Sequence, residues 1–454
     1  MYSKILADFA SDVNPSALPE EVVEATKLAV LDWLGCALAG APTPAGRIFA
    51  ETFADFRGPP VATLLNGAGR DSSLNAATVN GALSHIVELD DVHKGGVIHA
   101  GAVVIPAALA AAQETNAGGR AFLTGVAVGF DVCIRIAEAV TASHYLFFHN
   151  TATCGTFGSA TAVGNILGLD RQRMLWALGS AGTQAAGLWE FNADGAMSKH
   201  LHAGKAAGNG LLSAYLALRG FTGTGAILEG KRGFFAAMAK EVNAAKITDG
   251  LGEPGAWKIL ENTYKPHASC RHTHPAIDAM LAFAGTPGFS PEAIEGIEVR
   301  TYRDAMNIAG ITDPGSTYEA KFSLPFCIAS ATLFKSAGLA DFTQDRLENI
   351  ELRRLIRATR LVVDEEVESR YPKMWPVRII VTLADGSRLE GGVDYPKGDP
   401  ENPLAKAELQ DKFRRLAGPV VGDREAERLV GEMEKLDRAS TVEGIIPLFE
   451  GVHK

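Results

Sequence analysis

The chain has 454 residues, 47% of them apolar and 21% charged, with a formal net charge of −10 at pH 7. This length exceeds what one hydrophobic core normally supports, so we expect two domains. The mild acidity, the lack of a basic stripe with interleaved aromatic residues and the lack of about 18 uninterrupted apolar residues argue against nucleic-acid binding and against a membrane span.

The first half of the chain has the pattern of helices. Residues 1–12 carry acids within an apolar stretch and lack a cleavage pattern, so we do not expect a secretory signal. Pro19, Glu20 and Glu21 are typical of a helix start, because proline suits the first turn and acids favour the positive end of the helix dipole. From there to about residue 240, Ala, Gly and Leu recur at a spacing near 3.6, which predicts tightly packed, largely buried helices.

After about residue 260 the pattern changes to a mixture of strands and helices. Residues 294–301 and 359–363 alternate like strands, and residues 377–383 and 388–393 flank an Asp-Gly turn that is typical of a hairpin. The sequence therefore predicts a mainly α large domain and a smaller α+β domain. The predicted boundaries are a helical domain at 1–265, an α+β domain at 266–397, and C-terminal helices at 398–454 that return to the helical domain.

The most unusual stretch is residues 88–101, ELDDVHKGGVIHAG, which lies between two apolar helical runs. It contains the paired acids Asp90 and Asp91 and the histidines His93 and His99. Titratable groups are costly to bury without partners, so such a stretch is typical of the bottom of a cleft. We interpret it as the centre of a candidate active site.

All but one of the 11 histidines lie between residues 85 and 274, in four short groups. Histidine titrates near neutral pH, so this grouping indicates proton transfer, although any single buried histidine is more often a satisfied core residue. An ordinary helix cap and a solvated helix face are the structural alternatives for the second and third groups. The groups beyond residues 88–101 supply His149, the pair Lys199 and His202 at i, i+3, and the cationic set Lys265, Arg271 and His274.

The same groups bear on metal binding. The acids and histidines of residues 88–101 offer suitable ligand atoms. However, the sequence has no HExxH motif, and Lys94 and Lys199 would oppose a bound cation. Lysine and arginine are instead suited to hold carboxylates. We therefore expect no metal and a carboxylate ligand.

Five motifs in order, VNGALSHIVELDDVH with HAG, HNTATCGTFGSA, SKHLHAGKAA, CRHTHPAIDA and EAKFSLPF, resemble those of the MmgE/PrpD family. That family includes 2-methylcitrate dehydratase, cis-aconitate decarboxylase and iminodisuccinate epimerase, and the resemblance covers nearly the whole chain. It implies an MmgE/PrpD-like fold, with a helical domain completed by C-terminal helices, an α+β lid and an active site between them. It also implies a homodimer that needs neither a metal nor an organic cofactor.

The resemblance implies roles for particular residues. His99 matches the histidine of the family's HPG element, and Asp90 and Asp91 match the paired acids of DDTH. The remaining matches are His149 with the histidine of HPT, Lys199 with the lysine of TKxLH, and Lys265 with the lysine before CRxTHP.

The chain also departs from the family pattern. Val92 stands where Thr is common, and Ala100 and Asn150 stand where Pro is usual. Phe326 stands where many members have Tyr, so any proton donation or carboxylate binding by that hydroxyl is lost.

Together these observations predict a metal-independent lyase that acts on a small di- or tricarboxylic acid. It is expected to be a dehydratase, which is a hydro-lyase, or a decarboxylase. The alternatives are an epimerase, with His99 and His149 on opposite faces of one carbon, and a non-catalytic carboxylate-binding protein. Five scattered cysteines without a CxxC motif indicate a reducing, cytoplasmic location. The candidate catalytic residues are His99, His149, Asp90 and Asp91, and the candidate substrate-binding residues are His93, Lys199, His202, Lys265, Arg271 and His274.

His99 is the first choice as proton carrier, because the nearby acids Asp90 and Asp91 are placed to orient its ring and raise its basicity. His149 is the second choice. The alternative for His99 is that it only caps a helix that begins near Val103.

Overall fold

The computed structural model describes residues 1–449, apart from the side chains of residues 141 and 142. The described chain is mostly helical, with its larger sheet in the C-terminal region, which confirms the predicted fold class. It divides into a first unit, Met1–Thr263 together with residues from Ala405 onward, and a second unit, Tyr264–Leu404. Among the described helices, none combines the length and apolar character that a membrane crossing needs.

Most of the described chain consists of α-helices. In chain order they are α1 (Tyr2–Asp12), α2 (Glu20–Gly40), α3 (Pro44–Ala54), α4 (Ser73–Ile86), α5 (Ala100–Thr115), α6 (Gly119–Tyr145), α7 (Asn150–Ile166), α8 (Arg171–Gly182), α9 (Ser198–Leu218), α10 (Phe234–Met238), α11 (Ala245–Thr248), α12 (His274–Ala284), α13 (Arg303–Ala309), α14 (Thr317–Ala320), α15 (Leu324–Phe334), α16 (Gln344–Leu347), α17 (Ile350–Ala358), α18 (Glu365–Arg370), α19 (Lys406–Val421) and α20 (Asp423–Glu434).

The strands form two short pairs and one sheet of four strands. In the first unit β1 pairs with β2 and β3 pairs with β4, both antiparallel. In the second unit the order is β6-β5-β7-β8, with β5 and β6 parallel and the other pairs antiparallel. The strands are β1 (Ala62–Thr63), β2 (Arg70–Asp71), β3 (Val92–His93), β4 (Asn262–Thr263), β5 (Ile294–Thr301), β6 (Thr359–Val363), β7 (Val377–Leu383) and β8 (Arg388–Val393).

Small residues allow the helices of the first unit to approach closely. Helix α7 packs against α6 and α9, and every residue of α7 from Asn150 to Gly164 is buried. Where α6 crosses α7, a Cβ atom on Gly129 would lie 2.7 Å from the carbonyl oxygen of Gly158. A Cβ atom on Gly158 would likewise lie 2.7 Å from the carbonyl oxygen of Gly129. Only glycine fits at this crossing, since a side-chain carbon this close to a carbonyl oxygen would force the helices apart.

Helices α4 and α5 frame the segment that carries the candidate site. Ser72 caps α4 by accepting a hydrogen bond from the N–H of Asn75, and α4 packs against both α5 and α9. The connecting residues 87–99, which we call the histidine loop, contain two non-glycine residues with positive φ, Glu88 at 60° and Val97 at 44°. Such conformations are unfavourable for these residues, and Val is β-branched, so surrounding contacts must hold the loop in place.

The second unit is built on its four-stranded sheet. Val377, Ile379 and Val381 alternate with more exposed residues along β7, and these buried side chains face the core. Helix α12 packs against β7 and β8, and α17 packs against β5. The strand bounds coincide with the predicted strands because the period of 2 and the Asp-Gly turn are strong local signals.

Candidate active site

The centre of the candidate site is a carboxylate shared by two histidines. The Oδ2 atom of Asp90 lies 2.6 Å from Nδ1 of His85 and 3.1 Å from Nδ1 of His99. Burial raises the pKa of Asp90, but the charges of His85 and His99 outweigh it and hold this pKa well below its usual range. Asp90 is therefore ionised, and its charge can balance a proton on either ring.

Two further histidines extend this arrangement. The ring of His149 stacks on that of His85 with 5.6 Å between centroids, and it lies 6.4 Å from the ring of His99. The Nδ1 atoms of His149 and His202 are 3.2 Å apart, so one ring donates an N–H to the other. We call His85, His99, His149 and His202 the histidine cluster.

The outer members of the cluster are held neutral. Burial, followed by the charges of His85 and His202, lowers the pKa of His149 well below its usual range. Burial and the charge of His85 lower the pKa of His202 to about 4. Of the two candidate proton carriers, His99 contacts a carboxylate and is partly exposed, whereas His149 is buried.

Aromatic side chains cover one side of the histidine cluster. The ring of Trp189 lies 4.9 Å from that of His149, and Phe191 lies 5.4 Å from His202. The indole N–H of Trp189 donates to the carbonyl oxygen of Phe148. Apolar rings against the cluster limit its hydration, which strengthens the interactions between its charged groups.

Asp91 has a different position from its neighbour. It accepts hydrogen bonds from the backbone N–H of Gly101, at 3.1 and 3.2 Å to its two oxygens. A Cβ atom on Gly101 would lie 2.3 Å from Oδ1 of Asp91, so glycine is required for this approach. Burial, with the charges of Asp90 and Asp32, raises the pKa of Asp91 to about 8.

These contacts bear on the alternative that His99 only caps a helix. The following helix, α5, begins at Ala100 rather than near Val103, and His99 occupies the position before it without a side-chain capping bond. Asp91 accepts the N–H at the start of α5 instead. The alternative that His99 only caps a helix is therefore wrong, because its ring contacts Asp90 and makes no bond to the helix start.

The first turn of α7 fixes the histidine loop. The side-chain amide of Asn150 donates to the carbonyl oxygen of Gly96 at 2.6 Å, and the backbone N–H of His99 donates to Oγ1 of Thr151 at 3.1 Å. Asn150 is one of the departures from the family pattern. Its amide makes a bond that a proline could not make, since proline has no side-chain donor.

Lys199 and His202 lie one turn apart on α9 and face the same region. Lys199 is buried and forms an ion pair with Glu88 of the histidine loop, while His202 contacts His149. The predicted shared face is therefore present. The Glu88 carboxylate balances the charge of Lys199, and the pair joins α9 to the loop.

His93 belongs to a second polar group. Its Nδ1 accepts the N–H of Gly96, and its Nε2 lies 3.4 Å from Oε2 of Glu261. The hydrogen bond from His93 is the main cause that lowers the pKa of Glu261 to about 2. The ammonium of Lys258 lies 3.1 Å from a carboxylate oxygen of Glu138 and 3.1 Å from one of Glu261.

Two groups in the described chain have ligand atoms close enough together to hold a metal ion: His85, Asp90 and His99, and His93, Glu138 and Glu261. In the second group, the ammonium of Lys258 already balances the two carboxylates. In the first, the Nδ1 atoms of His85 and His99 both lie within 3.1 Å of Asp90 Oδ2, so a proton and an ion would compete for that position.

The other predicted residues lie in the second unit. Arg271 donates to Asp399 Oδ1 at 2.6 Å, to the carbonyl oxygens of Pro396 and Lys397, and to Nδ1 of His274. These bonds occupy both terminal nitrogens, so bidentate binding of a further carboxylate would require their rearrangement. Lys265 is buried, at 1% exposure.

His274 and Phe326 are also buried in the second unit. Burial, followed by the charge of Arg271, lowers the pKa of His274 well below its usual range, and its Nε2 donates to the carbonyl oxygen of Ser269. Phe326 lies on α15 with its ring 5.4 Å from that of Phe342.

Several residues that the structure places in the site were not predicted from the sequence. His85 belongs to the first histidine group and lies five residues before Asp90. It was not selected because it lies within an apolar stretch with a helical pattern. Glu88 lies two residues before Asp90, at the start of the stretch 88–101, but it was not among the candidate site residues. For Trp189, Glu138 and Lys258 no local signal exists, because their neighbours in space are distant in sequence.

Comparison with known proteins agrees with the motifs. The family model of the MmgE/PrpD N-terminal domain matches residues 4–246, and that of the MmgE/PrpD C-terminal domain matches residues 267–438. The chain therefore belongs to the MmgE/PrpD family, a family of enzymes, which confirms the resemblance.

Curated relatives match over almost the full length. The cis-aconitate decarboxylase-like protein oryM of Aspergillus oryzae is 26% identical, over 98% of this chain and 96% of the relative. The cis-aconitate decarboxylase of Aspergillus terreus is also 26% identical, over 98% and 94%. The cis-aconitate decarboxylase of Mus musculus is 24% identical, over 96% and 90%.

Proposed function

We propose that the chain is a lyase that removes carbon dioxide from a small tricarboxylic acid of the cis-aconitate kind. One observation carries this proposal: Asp90 is shared by His85 and His99 in a buried cluster, which supports proton transfer at a carbon atom. The names of the relatives favour decarboxylation over the removal of water. Elimination of water, a hydro-lyase reaction, is the alternative that uses the same groups.

The reaction needs one proton at a defined position. When the departing carboxylate is one carbon away from a carbon–carbon double bond, the bond to that carboxylate breaks and its electron pair forms a new double bond. The pair of the old double bond then takes a proton at its far carbon. In our proposal His99 delivers this proton, and the Asp90 carboxylate stabilises the protonated ring before transfer.

We also propose that this chemistry needs no metal ion and no organic cofactor. Lys199, Lys265 and Arg271 would help to hold substrate carboxylates by their positive charge, with His93, His202 and His274 as further polar contacts. Glu88 and Asp399 already pair with two of these cations, so substrate binding would compete with those carboxylates.

The test follows the reaction by NMR in heavy water with cis-aconitate and a panel of other di- and tricarboxylic acids. Release of carbon dioxide with one deuterium in the product would support the proposal. Elimination or addition of water would replace it with the hydro-lyase alternative. Deuterium exchange without a net reaction would identify an epimerase, and thermal stabilisation without exchange would identify a binding protein.

We further propose a cytoplasmic homodimer. The five cysteines are buried and free, which fits a reducing compartment. Leu146, Phe147, Leu188, Met197 and Leu201 are large apolar residues with more than a third of their surface exposed. The segments of Leu146, Phe147 and Leu188 adjoin, since Phe148 pairs with Leu188, and these exposed residues would suit a second copy of the chain. Light scattering after size exclusion would measure the mass directly.

A further inference from the structure

A buried lysine from the C-terminal helix α19 reaches the histidine loop. Lys412 is 4% exposed. Its ammonium donates to the carbonyl oxygen of Leu89 and to Oδ1 of Asp32, both at 2.6 Å. Asp32 lies on α2 and is 2% exposed. Lys412 therefore joins three segments that are far apart in sequence.

The carbonyl group of Leu89 belongs to the peptide that leads into Asp90. Fixing this carbonyl fixes the plane of that peptide, and with it the direction in which the Asp90 side chain leaves the backbone. The preceding residue, Glu88, has a φ of 60°, which is unfavourable for a residue with a side chain. This conformation persists only where contacts hold it, and Lys412 and the Glu88–Lys199 pair supply such contacts.

Lys412 is charged in this position. Burial alone would lower its pKa, but the charge of Asp32 and the hydrogen bond to it raise the pKa above its usual value. Asp90 contributes in the same direction. The ammonium is thus a positive charge next to the peptide that leads into Asp90.

We propose that Lys412 is a positioning residue: it holds the Leu89–Asp90 peptide so that one carboxylate serves both His85 and His99. The inference rests on the proposed function, since the value of this position lies in the proton transfer by His99. Lys412 acts through Asp90 rather than through contact with substrate.

The first test replaces the lysine with an apolar residue of similar length. We expect Lys412→Met to lower kcat about 10- to 100-fold, as loss of a group that orients a catalytic residue does, with a smaller change in KM. The matched control is Lys27→Met. Lys27 is also buried and joins α2 to the C-terminal segment, through Asp437 and the carbonyl oxygen of Glu434, but none of its described contacts reaches the histidine loop.

A second pair of variants separates positioning from folding. Lys412→Met leaves the Asp32 carboxylate buried without this ammonium, which destabilises the fold. Adding Asp32→Asn removes that charge, so the double variant should recover much of the melting temperature while kcat stays low. Asp32→Asn alone keeps the bond from Lys412 to Leu89 and should retain most of the activity. Recovery of both stability and kcat in the double variant would overturn the proposal.

Hydrogen–deuterium exchange gives a readout that does not depend on turnover. Exchange of the peptide that contains residues 87–99 should rise in Lys412→Met and in the double variant, but not in Lys27→Met. Equal exchange in all of these proteins would refute the positioning role. Wild-type protein that turns over none of the tested acids would instead refute the proposed function, while the exchange comparison still decides the role of Lys412.

Discussion

At the scale of single residues, Asp90 contacts both His85 and His99 with the same oxygen atom, Oδ2. A carboxylate in this position favours a proton on either ring, since Nδ1 of each ring lies within 3.1 Å of Oδ2. The neighbouring acid, Asp91, holds the start of α5. Two adjacent carboxylates thus have separate roles, because the backbone directs their side chains to different partners.

The first prediction concerns His99. His99→Gln should lower kcat by roughly 10²–10⁴-fold, as expected for loss of a general acid or base, and leave the melting temperature almost unchanged. The physical reason is that Asp91, not His99, satisfies the start of α5. Steady-state kinetics and thermal unfolding on the same preparation would measure both quantities.

Gly101→Ala is the control for this prediction, because it should disturb the start of α5 and so lower the stability of the fold. Its Cβ would lie 2.3 Å from Oδ1 of Asp91, so it should lower the free energy of unfolding by about 1–3 kcal/mol. A His99→Gln protein that melts as early as Gly101→Ala but retains full kcat would contradict the assignment, and His149 would become the candidate carrier.

The second prediction concerns pH. Asp91 has a pKa of about 8 in the folded chain and an ordinary value of 3.8. A carboxyl group with a raised pKa binds its proton more tightly when folded, so its contribution to stability is complete below about pH 4 and is lost as the pH rises toward 8. Asp91→Asn removes this dependence and keeps an oxygen that can accept the N–H of Gly101. The melting temperature of the variant should therefore rise relative to that of wild type between pH 5 and pH 8. A constant difference between the two melting temperatures over this range would rule out the raised pKa.

At the scale of elements, the histidine cluster is assembled from helix ends. His85 lies in the last turn of α4, His99 and His149 directly precede α5 and α7, and His202 lies on α9. The positions of the helices follow from apolar periodicity, and Gly and Pro punctuate them, so most helices and all strands of the larger sheet could be predicted.

The rest of the site could not be predicted, for a physical reason. The contact of His85 with Asp90, and that of Lys258 with Glu138, depend on how helices are rotated and packed, which local patterns do not specify. For His85 in particular, the surrounding apolar pattern predicts only a position on a buried helix face. Local sequence shows which residue types are present, but tertiary packing decides which of them meet.

The third prediction tests the packing that positions one of these helix ends. Gly158→Ala should lower the melting temperature by several degrees and reduce kcat, because the new Cβ would lie 2.7 Å from the carbonyl oxygen of Gly129 and displace α7, which His149 precedes. Gly431→Ala in α20 is the matched control. Within the described residues no atom lies less than 4 Å from the position that its Cβ would take, so it should stabilise the helix by up to about 1 kcal/mol and leave kcat unchanged. Equal melting temperatures in the two variants would show that the close crossing is not needed.

At the scale of the whole molecule, lysine side chains of the same chain balance the charge of buried acids. The chain is acidic overall, yet the buried acids Asp32 and Glu138 each pair with a lysine, Lys412 and Lys258 respectively. Lysines in these positions supply the positive charge that a metal ion would otherwise supply near carboxylates.

The fourth prediction follows from this balance. Dialysis against a strong chelator should leave kcat and the melting temperature within error of the untreated protein, because ammonium groups and protons occupy the positions next to the buried acids. Metal analysis before and after dialysis completes the measurement. A loss of activity that a divalent ion restores would show that His85, Asp90 and His99 bind a metal instead.

The return of the chain to its first unit has a consequence for biosynthesis. Residues from Ala405 onward belong with Met1–Thr263, whereas Tyr264–Leu404 is continuous in sequence. On a ribosome, the second unit is therefore complete before the first can close around α19. The helix that carries Lys412 emerges after the second unit, so the loop that holds Asp90 gains its contact with Lys412 only after Tyr264–Leu404 has been made. A nascent chain would thus lack the contact between Lys412 and the histidine loop until α19 has followed the second unit out of the ribosome.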